Sequence, residues 1–310
     1  MRARWRQWSL LVLLLGAGLA WGNDGADAAG RTLGGYRYIP SDLVPNPFIV
    51  SHFRNATGAA LAMNERFPVL VVDQDTLLAL SGDVAFLSLS FELQHAVDDR
   101  VAFRIGGAGT SRLGTGAESI LTQGVTAVTS FDMGTSVRVW NDDRILLTAT
   151  ADAAMGSVLA IDVFQYVEDV IDSGFERASL TKSDNGLTLD GGLRSAWTLR
   201  PWAGLMGLLK AHYFNTVRRD EAGWGAGIAG SIDFGQKHGP PVGLLASAVF
   251  DEIRFDPNEK SEVQLGAGVF YTGREDFSVG LELGYFRKPL RTPKVVLDGM
   301  TFRINAQYYF

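Results

Sequence analysis

In its carboxy-terminal half the chain alternates between apolar and polar residues. From Trp224 every second residue is apolar or glycine: Trp224, Ala226, Ile228, Gly230, Ile232 and Phe234. The same alternation recurs over residues 242–250, 263–271, 277–285 and 302–310. The alternate positions carry Ser231, Asp233, Ser278, Glu282, Arg303, Asn305 and Gln307. A period of two gives a β-strand one apolar face, which no helix can reproduce. Noisier copies precede these, over residues 87–94, 101–105, 131–139, 145–152, 187–197 and 205–213. A first strand over residues 48–62 brings the count to an even twelve.

Alternation alone also suits a soluble sandwich, whose apolar faces meet in a core. Three features favour a barrel in lipid. Aromatic residues stand at both ends of the apolar face: Trp224 and Phe234, Phe277 and Tyr285, Phe302 and Phe310. This is how interfacial girdles look in a sequence. Ten residues on a strand tilted by about 45° rise roughly 24 Å, close to the apolar band of such barrels. The connections also alternate in length. Short ones fall at residues 96–99, 141–143, 200–201, 236–240 and 273–275. Long ones fall at residues 63–82, 110–124, 153–185, 216–223, 254–261 and 288–299. Short periplasmic turns and long outer loops have this rhythm. Counting back from a periplasmic carboxy terminus puts every short connection in the periplasm.

The ending Arg303-Ile304-Asn305-Ala306-Gln307-Tyr308-Tyr309-Phe310 resembles the terminal strand of bacterial outer-membrane β-barrels. The resemblance is to the class and covers the chain from about residue 48 onward. It implies an all-β, transmembrane, antiparallel up-and-down barrel. It also implies that Tyr308 and Phe310 are read by the barrel-assembly machinery, and that outer-membrane lipids and lipopolysaccharide surround the protein.

The amino terminus divides in two. Residues 1–22 have the form of a cleaved secretory signal. Arg2, Arg4 and Arg6 precede an apolar run, and Ala20 and Gly22 supply the small residues of a cleavage site. An uncleaved anchor is the alternative, but the run is short for a spanning helix. Losing these arginines takes the formal charge from −6 to −9, which argues against nucleic acid as a partner. Residues 23–47 form a polar leader with Pro40, Pro45 and Pro47, unsuited to a central strand. It is expected in the periplasm, within reach of the barrel mouth. The barrel itself is expected over residues 48–310.

With the apolar parity facing lipid, the other parity lines a lumen. The lumen-lining candidates are Asp152, Asp190, Arg194, Lys210, His212, Asp251, Glu282 and Arg303. Their mixed signs suggest ion pairs across the wall, since an unpaired charge in a narrow lumen is costly. The functional alternative is a hydrophilic path that binds or filters a small solute. Inward glycines, among them Gly225, Gly227, Gly243 and Gly266, leave space for water, a solute or an inserted loop, or relieve strand curvature. The connection over residues 153–185 has a broadly helical spacing from Val158 to Ile171. It could constrict the lumen, cap the outer mouth or form a short surface helix packed on its own loop. The repeated phrases Asp98-Asp99-Arg100 and Asp142-Asp143-Arg144 read as turns at the periplasmic rim.

The absence of cysteine rules out disulfides, thiolate metal sites and thiol nucleophiles. No cofactor or metal is indicated. Three functions remain. The first is a pore or channel for small solutes. The second is a closed structural or adhesive surface barrel. The third is an outer-leaflet lipid-modifying enzyme, resting on His212 with Asp190 or Asp251.

Overall fold

A computed structural model describes residues 28–72, 75–114, 125–161, 181–216, 220–253, 261–289 and 296–310. The signal-like residues 1–22 therefore lie outside the described residues. A short 3-10 turn, Ala28–Arg31, leads into a small hairpin of β1 (Thr32–Leu33) and β2 (Tyr36–Arg37). The barrel strands follow: β3 (His52–Val72), β4 (Asp75–Ala96), β5 (Val101–Gly114), β6 (Val125–Asn141), β7 (Ile145–Ile161) and β8 (Thr181–Arg200). The second half comprises β9 (Ala203–Thr216), β10 (Asp220–Asp233), β11 (Val242–Ile253), β12 (Glu262–Tyr271), β13 (Phe277–Pro289) and β14 (Val296–Tyr309).

These twelve strands form one closed barrel in sequence order. Closure comes from β14 pairing antiparallel with β3, from Met300 opposite Leu61 to Tyr309 opposite His52. Each of the twelve barrel strands is paired on both sides, as a sheet in hydrocarbon requires. The wall is inside-out. Leu209, Leu265, Leu281 and Leu283 are each about half exposed on its outer side. On the inner side are buried polar residues, among them Arg194, Ser247, Glu282, Asn305 and Gln307. A soluble sandwich would show the reverse.

The short connections fall where the alternation stops: after Ala96, Asn141, Arg200, Asp233 and Tyr271. The repeated turns share one geometry. Asp98 Oδ1 accepts from the Arg100 and Val101 amides, both at 2.7 Å, and Asp142 Oδ1 from those of Arg144 at 2.8 Å and Ile145 at 2.7 Å. These backbone donors hold both exposed carboxyls below the usual range.

The outer side departs from expectation. Residues 63–82, expected as a connection, are mostly strand, since β3 runs to Val72 and β4 starts at Asp75. Their pairing continues through several register shifts. Residues 153–161 likewise belong to β7, and β8 begins at Thr181. Val158 thus opens no helix. It is a strand residue opposite Asp184, and the rest of the helical spacing lies outside the described residues. The cause is physical: a ladder can continue above the membrane with no apolar face to mark it, so periodicity underestimates strand length.

Candidate functional site

The leader does not trail from the barrel; residues 28–51 enter the lumen. The hairpin turns at Gly34 and Gly35, with φ of 54° and 79°. Two consecutive left-handed residues make the two-residue turn that suits the twist of paired strands, and glycine takes it without steric cost. Beyond the hairpin, prolines keep the chain out of regular structure. The loop reaches its apex around Asp42 and Leu43 and returns through Phe48 to His52 at the start of β3.

Its side chains make an apolar core with inward residues of the wall. Leu33, Tyr36, Tyr38, Ile39, Val44, Phe48 and Val50 are buried against Leu146, Met206, Leu245, Val249 and Phe270. Inward glycines receive the loop. A Cβ on Gly204 would stand 2.6 Å from the Tyr36 ring, and one on Gly266 would stand 3.2 Å from Leu43. Ile39 fills the place of a side chain at Gly243.

An irregular loop inside a barrel must find partners for its polar groups. Gln94 Nε2 donates to the Phe48 and Val50 carbonyls at 3.0 and 2.9 Å, and Thr148 Oγ1 donates to that of Pro47 at 2.6 Å. The Tyr36 hydroxyl donates to Ser231 at 2.7 Å, and that of Tyr38 lies 3.0 Å from Thr198 Oγ1. Burial raises both phenols, Tyr38 to about 12 and Tyr36 further, so both stay neutral. At the periplasmic rim, Arg31 lies over the Tyr309 ring at 4.2 Å and donates to the Glu275 carbonyl at 3.1 Å. Arg37 donates to the Thr272 carbonyl at 2.6 Å.

Above and beside the loop, charges meet across the wall by a repeated device. Arg104, Gly134 and Asp152 lie in one row over β5, β6 and β7. The glycine places nothing between them, and Arg104 reaches Asp152 at 2.8 Å. Lys210, Gly225 and Asp251 form the same row over β9, β10 and β11, with the ion pair at 3.0 Å. Arg104 also faces Glu92 at 3.3 Å and Asp132 at 3.9 Å, while Arg194 faces Asp152 at 3.5 Å. His52 joins Glu92 at 3.0 Å.

The loop's apex adds a third group. Asp42 offers one carboxylate oxygen to Arg54 on β3 and the other to Arg303 on β14. Arg54 Nε lies 3.4 Å from Asn305 Oδ1, and the Asn305 amide donates to Glu282. Where the loop meets the wall, cavities are small. One at Leu43, Glu282 and Arg303 and another at Pro40, His52 and Glu92 each hold about 10 Å³, room for about one water. A larger concavity, about 760 Å³, lies on the lipid side, at Leu205, Gly230, Ala246, Ala267 and Leu283.

No protein-family model matches the chain, and no curated protein matches it. Solved structures do match. An outer-membrane channel from Pseudomonas putida F1 superposes with a TM-score of 0.53 at 11% identity, covering 88% of this chain and 100% of that one. The β domain of the Bordetella autotransporter BrkA gives 0.52 at 12% identity, covering 84% and 100%. The translocator domain of the autotransporter NalP from Neisseria meningitidis gives 0.51 at 11% identity, covering 84% and 88%. The fold is that of a bacterial outer-membrane β-barrel. A channel and autotransporter domains share it, so architecture alone does not choose between them.

Within this outer-membrane barrel, the residues selected by parity fall into three groups. Asp152 and Arg194 join the network around Arg104. Lys210 pairs with Asp251, while Asp190 sits opposite His212 across β8 and β9. Glu282 and Arg303 lie near the apex of the loop, on β13 and β14. Arg54 and Asp42 were not among the expected residues. Arg54 lies at the periplasmic end of a strand whose alternation is weak, and Asp42 lies in the leader. The inserted segment is the leader, whereas residues 162–180 of the connection that could constrict the lumen, cap its outer mouth or form a surface helix lie outside the described residues.

Proposed function

We propose that the protein is a channel for small solutes in the outer membrane, closed at its periplasmic end by its own N-terminal loop. One observation carries this reading: the lumen is divided. The periplasmic half holds an apolar core around Tyr36, Tyr38 and Phe48. The half above it is lined by charged side chains that keep contact with water. Lys210 retains 31%, Arg303 29% and Asp132 29% of its side-chain exposure. A polar vestibule ending on a chain segment tied through side chains, not through a sheet ladder, has the construction of a gated pore. The Pseudomonas putida channel with this fold supports the reading by analogy. On the same reading, Tyr308 and Phe310 hand the chain to the assembly machinery, and the half-exposed outer leucines contact lipid and lipopolysaccharide.

A second reading, a permanently closed surface barrel, draws support from the completeness of the loop's packing. Planar-bilayer recording separates the two. The channel reading expects brief openings from the intact protein and large, steady currents once residues 32–47 are deleted. Folding is checked by the migration shift on boiling. A silent intact protein, in bilayers and in liposome-swelling assays, beside a conducting deletion variant would establish the closed barrel. If both are silent though folded, no path runs through the lumen.

A further inference from the structure

The apex of the loop carries a carboxylate in a setting that would suit a ligand. Asp42 splits its two oxygens between Arg54 and Arg303. Sharing one carboxylate between two guanidiniums is a strong and directional form of anion recognition. The wall is shaped to permit it. Gly58 on β3 faces Arg303 on β14, and a Cβ there would stand 2.8 Å from Arg303 Cγ. With glycine at that place, Arg303 lies flat along the wall towards Asp42. Among the described ion pairs, Asp42 is the carboxylate that both arginines hold. Glu282, opposite Arg303 on β13, is buried and turned to Asn305. Arg54 and Arg303 thus carry two positive charges beside Asp42 and Glu282, while Glu92, opposite Arg54 on β4, is engaged by His52 and Arg104. Withdrawing Asp42 leaves both guanidiniums aimed at one point without the carboxylate that they share.

We infer that Arg54 and Arg303 form the binding site for a small organic carboxylate, and that Asp42 occupies it as an internal stand-in for that ligand. The inference rests on the channel reading and names its solute class. A carboxylate entering the vestibule competes with Asp42 for the two arginines and loosens the apex of the loop. A neutral molecule of the same shape brings no charge to the site and cannot compete. The cluster around Arg104 is a poorer candidate, because three carboxylates already face that arginine.

The test uses the full chain in planar bilayers, with benzoate as probe and benzamide as its uncharged counterpart. Benzoate should raise open probability and benzamide should not. Asp42→Asn should raise openings without any ligand. Loss of a charge-assisted contact predicts roughly tenfold or more. Arg54→Gln with Arg303→Gln should abolish the response to benzoate. If Asp42→Asn does not assemble, the comparison of benzoate with benzamide on the unaltered protein decides. Equal effects of the two probes, with channel openings present, would overturn the inference and leave Asp42 as a structural brace. Failure of the channel reading itself looks different: the variant lacking residues 32–47 stays silent as well.

Discussion

Leu89 and Ser90 are consecutive residues of β4 that face opposite sides of the wall, and arginine at each should have unequal consequences. Leu89 is 53% exposed on the outer face, mid-way along a run with Leu87, Phe91 and Leu93. Ser90 faces inward, opposite Ala56 and Ala108, with Glu92 next on its side of the strand. Leu89→Arg places a guanidinium in hydrocarbon, at a cost of about 2–4 kcal/mol near the midplane of a barrel. That is about thirty- to several-hundred-fold in the folding equilibrium. Ser90→Arg places the same group in the lumen beside a carboxylate, where a change within about 1 kcal/mol is expected. Urea titration of refolding into lipid vesicles measures both, with the gel shift on boiling as the readout of closure. Glycine makes a poor inward control, because a Cβ at Gly280 would run into the Phe270 ring. Equal losses at the two positions, or a greater loss at Ser90, would refute the inside-out assignment of the wall.

The charge network and the turns give two further expectations. Arg104→Met leaves Glu92, Asp132 and Asp152 facing one another without their shared cation. Breaking a fully buried pair costs roughly 3–5 kcal/mol, and less is expected here because the carboxylates keep some water contact; the same urea titration reads it, and an unchanged midpoint would contradict the network. In the periplasmic turns, Asp98 and Asp142 have carboxyls held low by backbone amides. Their contribution is present above the ordinary aspartate value of about 3.9 and is lost as pH falls below it, through the depressed folded value. Hydrogen exchange should therefore show the amides of Arg100, Val101, Arg144 and Ile145 opening in that acid range, and protection unchanged there would contradict it.

The barrel was legible because lipid imposes one rule on every spanning strand. Leu281, Leu283 and Tyr285 had to alternate with Gly280, Glu282 and Gly284, and the alternation marked the strands and their periplasmic turns. Above the membrane the rule lapses, so the upper parts of β3 and β4 read as a loop. The inserted leader was less legible. Its clue lay in exceptions to the pattern: Leu146, Met206, Leu245, Val249 and Phe270 are apolar at inward positions, yet buried. An apolar residue inside a barrel needs an apolar partner, and Tyr36, Tyr38, Ile39, Val44 and Phe48 supply it. Periodicity cannot identify such a partner, because an irregular segment has no period. The pairings of Lys210 with Asp251 and of Arg104 with Asp152 were likewise hidden, since each spans an intervening strand and depends on barrel register. Once that register is known, the glycines between them are the signal.

A locked loop tests the gate most directly. The chain contains no cysteine, so an introduced pair stands alone. A Cβ at Gly227 would lie 3.3 Å from Val44 Cγ2, which brings the two positions near the Cβ separation of about 3.5–4.5 Å that a disulfide needs. Val44→Cys with Gly227→Cys should cross-link on mild oxidation in the folded barrel. Single-channel recording then compares the oxidised and reduced forms of that protein. The expected result is a silent oxidised channel whose openings return with reductant. Equal conductance before and after reduction, with the cross-link verified, would contradict an N-terminal loop that gates the lumen.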